Sequence, residues 1–291
     1  MPPSRLAPGT GIVNVPGAGL ALRTADGAFL RIDTGHADGE ALTKRLVTGE
    51  GGKGTEANDE LAPLVTAFEE AGYAVPEAAG PRPRPLRGHT VLLLGDTCLT
   101  APLARFAAAE GADVRATEPK KVTELVQGPA PDVPTAVVWC LDSPVPEGLW
   151  DEADRLPGLR VGWLRCHREG AHTWIEPVAS SPGDVTSAHV RLRRLAATPA
   201  HRELAAYWAG RRTPDTGPHP TEASAALIAS LLTADLVAWA AGERHRASAP
   251  PARRRLRRVD LRDLTVTEHP VLPVPRVAPM PAPAGPAGSR P

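Results

Sequence analysis

Thr90-Val91-Leu92-Leu93-Leu94-Gly95-Asp96-Thr97-Cys98-Leu99-Thr100 is the most informative stretch of this sequence. The run from Thr90 to Leu94 lacks polar alternation, so it reads as a strand buried on both faces. Gly95 and Asp96 turn the chain. Thr100 to Glu110, with Leu103, Phe106 and Ala107 inward, has the helical period. A strand, a glycine turn and a helix open the α/β sheets that bind nucleotides. Those sheets use G-x-G-x-x-G, which lets the backbone approach a pyrophosphate resting on the helix N-terminus. Here only Gly95 stands, and Thr97 and Thr100 occupy the next two glycine positions. The outline of a nucleotide fold is present and its phosphate chemistry is missing.

The same rhythm continues downstream. Ala112 to Arg115, Ala136 to Cys140 and Arg160 to Arg165 read as strands, with Trp150 to Leu156 a short helix between them and Thr173 to Pro177 a further strand. This alternation predicts a mainly parallel sheet between helical layers. Helices are expected over Thr186 to Thr198, Glu203 to Ala209 and, capped by Thr221, on to Ala241. A closing strand is expected over Val259 to Val266.

Upstream the period differs. Ile12 to Val15, Leu20 to Arg23 and Phe29 to Ile32 are short strands separated by Pro16-Gly17-Ala18-Gly19 and Asp26-Gly27, both turn signals. Leu42 and Leu46 then mark a helix over Asp38 to Val47. Thr55 can cap another, whose inward face is Leu61, Leu64, Val65 and Phe68. Pro63 places the start of that helix nearer to itself. Three strands and two or three helices fit a small winged-helix-like module. Pro81, Pro83 and Pro85 alternate with Arg82 and Arg84, which favours an extended linker. The expected organisation is therefore a module over 1–78, a linker over 79–88, a degenerate three-layer α/β domain over 89–270 and a proline-rich tail over 271–291.

Composition bounds the function. Lys+Arg and Asp+Glu both number 33, so the formal net charge is zero, whereas non-specific nucleic-acid binders carry a basic excess. Three widely spaced cysteines, Cys98, Cys140 and Cys166, argue for a reducing cytoplasm and supply no C-x-x-C zinc pair. No stretch approaches the ~20 apolar residues of a membrane span.

Other candidate chemistry reads as structure. Gly51-Gly52-Lys53-Gly54-Thr55 is close to a P-loop, but a glycine separates Lys53 from Thr55. Cys166 and His167 are adjacent on a strand and point to opposite faces, so they do not form a nucleophile pair. Cys98, beside a helix N-terminus, is a candidate for a lowered pKa, although a half-buried structural thiol is the plainer reading. Asp142, Asp151 and Glu152 follow a strand at the carboxyl edge and are expected to cap helices or stay solvated. Arg253 to Arg258 is expected to be a solvated basic loop, with an acidic partner as the alternative.

The order of blocks resembles the ThiF-like ("ocin-ThiF-like") cyclodehydratase partner proteins of azoline-forming ribosomal peptide biosynthesis, thiopeptide pathways included. The resemblance rests on four segments. Leu261 to Pro273, with His269-Pro270-Val271, is similar to their ending. Val161-Gly162-Trp163-Leu164 through Trp174-Ile175-Glu176-Pro177 resembles the approach to their central crossover, and Leu192 to Trp208 the helices that follow. Pro8-Gly9-Thr10 to Tyr73 resembles their leader-peptide-recognition element. Zinc-bearing relatives have a cysteine pair after the proline-rich ending and another earlier, and Pro275 to Met280 holds none; the nucleotide glycines, phosphate arginine and nucleophilic cysteine of activating enzymes are not matched in this chain. The resemblance therefore implies a non-catalytic scaffold with no cofactor and no metal. It would bind a precursor leader peptide and a YcaO-type cyclodehydratase, as a monomer or homodimer. It would contact neither nucleic acid nor membrane. The leader would add as a strand beside Phe29, Leu30, Arg31 and Ile32 and enter a groove against Leu61, Leu64, Val65 and Phe68, with Arg31 and Glu69 exposed. The alternative is an ATP-dependent adenylating enzyme, distinguished by nucleotide binding at Gly95 to Thr100.

Overall fold

The computed structural model describes residues 4–49, 55–76, 84–242 and 250–275. The chain divides into two compact units, Met1–Arg82 and Pro83–Pro291. Lys53 and its neighbouring glycines lie outside the described residues, as does the tail beyond 275.

In the first unit, β1 (Ser4–Leu6) pairs antiparallel with β5 (Ala74–Pro76). Strands β2 (Gly11–Val15), β3 (Gly19–Arg23) and β4 (Phe29–Ile32) form an antiparallel meander in that order. Helix α1 (Gly39–Thr48) starts at Asp38, whose carboxylate accepts from the Glu40 amide, and stops at Gly49 in the left-handed region. Helix α2 (Thr55–Glu70) runs straight through Pro63, so that proline does not mark its start. The core is Leu22 from the sheet, Leu42 and Leu46 from α1, and Leu61 and Phe68 from α2.

The second unit is built on a seven-stranded mixed sheet. Strands β6 (Thr90–Gly95), β7 (Asp113–Ala116), β8 (Thr135–Leu141) and β9 (Gly162–Glu169) are parallel. Strands β10 (His172–Ile175), β11 (Arg255–Asp260) and β12 (Val266–Pro270) extend it antiparallel beyond β9, giving the order β12-β11-β10-β9-β8-β6-β7. The continuous apolar run of β6 serves both faces. Val91 and Leu93 pack with α3 (Thr97–Ala109) and α7 (Glu222–Ala240) through Leu103, Ile228 and Leu232. Leu92 and Leu94 face α4 (Pro119–Gln127) and a 3-10 segment (Ala153–Leu159), with Val122, Leu156 and three tryptophans, Trp139, Trp150 and Trp163. Helices α5 (Ser187–Ala196) and α6 (His201–Trp208) complete the unit. The unit is α/β with helices on both faces of the sheet, as the sequence predicts, but the sheet is mixed, with three of its seven strands joined antiparallel.

Four expectations are corrected here. The single closing strand over Val259–Val266 is a hairpin, β11 and β12, because Leu264 takes a positive φ of 62 and turns the chain between them. The basic run Arg253–Arg258 is no solvated loop. Arg257 is 3% exposed and donates to Asp235 at 2.5 Å and Glu268 at 2.9 Å. Helix α7 is long and apolar enough to cross a membrane by composition, contrary to the reading that no stretch approaches one. It lies on the sheet instead, and its Asp235 anchors Arg255 and Arg257. The tail also begins later than 271, since Val271 is buried and its amide donates to Arg254 O at 2.7 Å.

Candidate functional site

Two places could carry function: the carboxyl edge of the large sheet at Gly95, and a groove in the first unit.

At the sheet edge, Gly95 has φ +105, and a Cβ there would lie 1.8 Å from the Cys140 carbonyl oxygen. Glycine is required, and the cause is the neighbouring strand rather than a phosphate. Asp96 follows as the N-cap of α3. Its amide donates to Cys140 O, its backbone carbonyl accepts from the Leu99 and Thr100 amides, and its carboxylate accepts from the Asp142 amide at 2.6 Å. A carboxylate therefore stands beside the electropositive end of the helix, bonded to the Asp142 amide rather than to the helix amides, and its charge disfavours an anion there. The adjacent cation is also spoken for. Arg168, 1% exposed, donates to Asp142 and, at 2.8 Å, to Asp215, while His219 meets Asp142 Oδ2 at 2.6 Å. These residues do not fit a nucleotide phosphate. Asp142 thus neither caps a helix nor stays solvated, and Glu152 accepts from Thr123 at 2.7 Å.

The cysteines fit no nucleophile. Cys98 is exposed, not half-buried, and partial burial with the Asp142 and Asp96 charges pushes its thiol up, the reverse of activation. Cys166 is fully buried against Cys140 in the neighbouring strand, with its pKa raised by the hydrogen bond from that thiol and by burial. His167 lies on the opposite face of β9, beside Trp150 at 5.6 Å. Its Nε2 meets Glu169 Oε1 at 3.1 Å. Arg194 and Trp208 also donate to Glu169. The cavity there is about 20 Å³, the room of one water and of no substrate. Among the described residues no three His, Cys, Asp or Glu side chains gather as a metal would require.

Burial pushes the Glu169 carboxyl up, but His167 and Arg194 more than offset it, and the group is held well below its usual value of 4.5. A depressed carboxyl stabilises the fold fully above the unfolded pKa, and that contribution is lost as pH falls beneath it. Glu169→Gln should therefore lose less stability than the parent between pH 5 and pH 2. Urea midpoints across that range check this, and parallel losses in the two proteins would refute it.

The groove in the first unit is of another kind. It measures about 1340 Å³, more than a drug-sized pocket, and lies between the sheet and α1. Asn14, Leu20 and Ile32 are cross-strand neighbours on its floor. Thr43, Lys44 and Val47 form the helical wall. Val47 is 55% exposed, although apolar. Among the described residues β4 pairs with β3 alone, so its other edge is open. The Thr24 amide donates to Ala28 O. In an antiparallel ladder bonded pairs alternate, so Leu30 and Ile32 bond β3, and Phe29 and Arg31 turn their N–H and C=O to the open edge.

The sequence-derived peptide residues divide accordingly. Arg31 and Ile32 line the groove. Phe29 and Leu30, 63% and 42% exposed, stand on the open strand. Leu61 and Phe68 are each 8% exposed and belong to the core with Leu42 and Leu46. Leu64 and Val65 are half-buried against the same core. Glu69 accepts from Ser4 Oγ. The groove is walled by α1 rather than by the helix carrying Leu61 and Phe68. Thr43, Lys44 and Val47 escaped the sequence reading because the helix period exposed only the buried pair, Leu42 and Leu46.

The fold and these sites define an α/β protein whose turn after Gly95 is closed by the neighbouring strand and whose separate N-terminal unit carries an open strand beside a groove. No family model and no curated protein sequence matches the chain. Solved structures do. The heterocyclase TruD matches with a TM-score of 0.65 and 13% identity over 94% of this chain and 42% of that one. A heterocyclase in complex with substrate and cofactor matches with a TM-score of 0.64 and 13% identity, over 94% and 39%. Escherichia coli MccB with succinimide matches with a TM-score of 0.58 and 9% identity, over 93% and 97%. The chain thus spans about two fifths of the heterocyclases and nearly all of MccB. What is shared at these identities is the fold.

Proposed function

We propose that this chain is a non-catalytic partner in azoline-forming peptide biosynthesis, of the thiopeptide kind. It binds the leader of a ribosomal precursor and presents that precursor to a YcaO-type cyclodehydratase in the cytoplasm. The observation that carries the reading is the open edge of β4 beside a groove, in a chain with the fold of two heterocyclases. The first unit is read as a winged-helix-like recognition module. The leader adds as a strand to Phe29–Ile32, bonding the Phe29 and Arg31 backbone. Alternate side chains enter the groove over Leu20 and Ile32, against Thr43, Lys44 and Val47. In azoline formation a Cys, Ser or Thr side chain attacks the preceding amide, whose oxygen then leaves once activated by ATP. In this reading ATP belongs to the partner enzyme, in keeping with the filled turn at Gly95. This chain supplies proximity, since a tethered core peptide has a raised effective concentration at the partner.

Titration with the leader segment of a candidate precursor peptide tests the reading. Arg31→Pro should weaken leader binding at least about tenfold, because proline removes an outward N–H while edge strands tolerate it. The variant's unchanged thermal midpoint would show that the unit still folds. No leader binding by the parent at micromolar concentration would sink the proposal.

A further inference from the structure

A second surface, in the large α/β unit, is built for a different partner. Residues 187–212, which span α5, α6 and the turn that follows them, carry six arginines and one carboxylate, Glu203, in a chain of zero net charge. Of these arginines only Arg194 meets a carboxylate, Glu169, among the described residues. Three of the others, Arg191, Arg193 and Arg212, are held without being neutralised. Arg191 lies 4.9 Å from the Trp208 ring centroid and Arg212 4.9 Å from that of Tyr207. Arg193 donates to the Leu272 and Pro273 carbonyls. Beside them Arg258, on β11, lies 6.0 Å from the Trp174 ring centroid, and Arg194 stands 4.0 Å from the same ring. Trp174, Arg194, Glu203, Leu204, Tyr207 and Arg258 line an open groove of about 750 Å³, and Arg191, Arg193 and Arg212 lie outside that lining.

An arginine stacked on an aromatic ring keeps its planar fork free at the edge, set for two parallel hydrogen bonds to a carboxylate. Little side-chain entropy remains to be lost on binding, and the rings beneath offer apolar area to neighbouring residues. Nucleic acid would need a basic excess extending beyond one hairpin, and the chain has none. We infer that the α5–α6 surface docks an acidic segment of a protein partner, its apolar side chains in the groove against Trp174 and Tyr207 and its carboxylates on Arg258 within the groove and on the un-neutralised arginines of the α5–α6 segment outside it.

The probe is a labelled peptide of glutamates interrupted by leucines, followed by fluorescence anisotropy, with the lysine counterpart and a single-stranded RNA of equal charge as controls. The glutamate peptide should bind, more weakly as salt rises, and the lysine peptide should not. Arg258→Gln should weaken binding about tenfold, and Glu203→Arg should tighten it several-fold. Glu203 is exposed, so its replacement leaves the core untouched, and a gain in affinity cannot come from misfolding. Absence of glutamate-peptide binding, indifference to both substitutions, or tighter binding of the RNA would each overturn the inference. The parent's leader binding at the first unit is read separately and is expected to persist in both variants.

Discussion

Gly95→Ala should unfold the second unit or cost it about 3 kcal/mol or more, a left-handed backbone strain combined with overpacking. The new methyl would sit 1.8 Å from the Cys140 carbonyl oxygen at φ +105. Neither β6 nor β8 can move aside, because their paired residues, from Val91 and Ala136 to Leu94 and Trp139, are buried in the middle of the sheet. Gly148→Ala is the control. It has φ +77, but its nearest neighbour is Asp151 Oδ2 at 3.9 Å, so it carries the strain without the collision. Urea denaturation of the two variants separates the effects. Equal, small losses would mean that the Gly95 approach is soft, and a phosphate role for this glycine would have to be reconsidered.

The second large effect concerns the ion pair inside the sheet. Arg165 is 0% exposed and Glu176 3%, and Nε donates to Oε2 at 2.6 Å. Two further donors of Arg165 reach the Pro177 and Val185 carbonyls, at 3.2 and 3.1 Å. Glu176→Leu would strand a guanidinium among apolar neighbours and should cost about 3–5 kcal/mol. Arg165→Met should cost a similar amount, by stranding the carboxylate. The double variant should be far milder than the sum, since burying a charge pair is itself expensive. A cycle of urea midpoints measures the coupling. Additive single losses would show that the two groups are not paired in solution.

Both residues bear on how much could be read in advance. Arg165 lay in a recognised strand, but nothing in the spacing of Arg165 and Glu176 announces a pair. They meet because β9 and β10 are antiparallel and the chain then returns over the sheet. Helix α4 was missed for a related reason. Its nine residues, Pro119–Gln127, bury only Val122 and Val126, too few for a clear period. Strands β1 and β5, three residues each, become strands only by pairing with each other across most of the first unit. The groove-facing residues divided similarly. The strand Phe29–Ile32 was legible from its flanking turns, whereas Thr43, Lys44 and Val47 face the groove only because Leu42 and Leu46 turn inward.

What the amino-acid sequence determined by itself is local: the buried run Thr90–Leu94, the turns at Gly17 and Gly27, the cap at Thr221, and the missing glycines after Gly95. Each follows from the conformational freedom or hydrogen-bonding capacity of one or a few residues. The tertiary structure alone decided why Gly95 stays glycine, where the basic run Arg253–Arg258 finds its carboxylates, and which helix faces the groove. Those outcomes depend on contacts between residues far apart in the chain. Cys140 lies across from Gly95 and Asp235 beneath Arg257, and no period or spacing encodes such meetings until the sheet has closed.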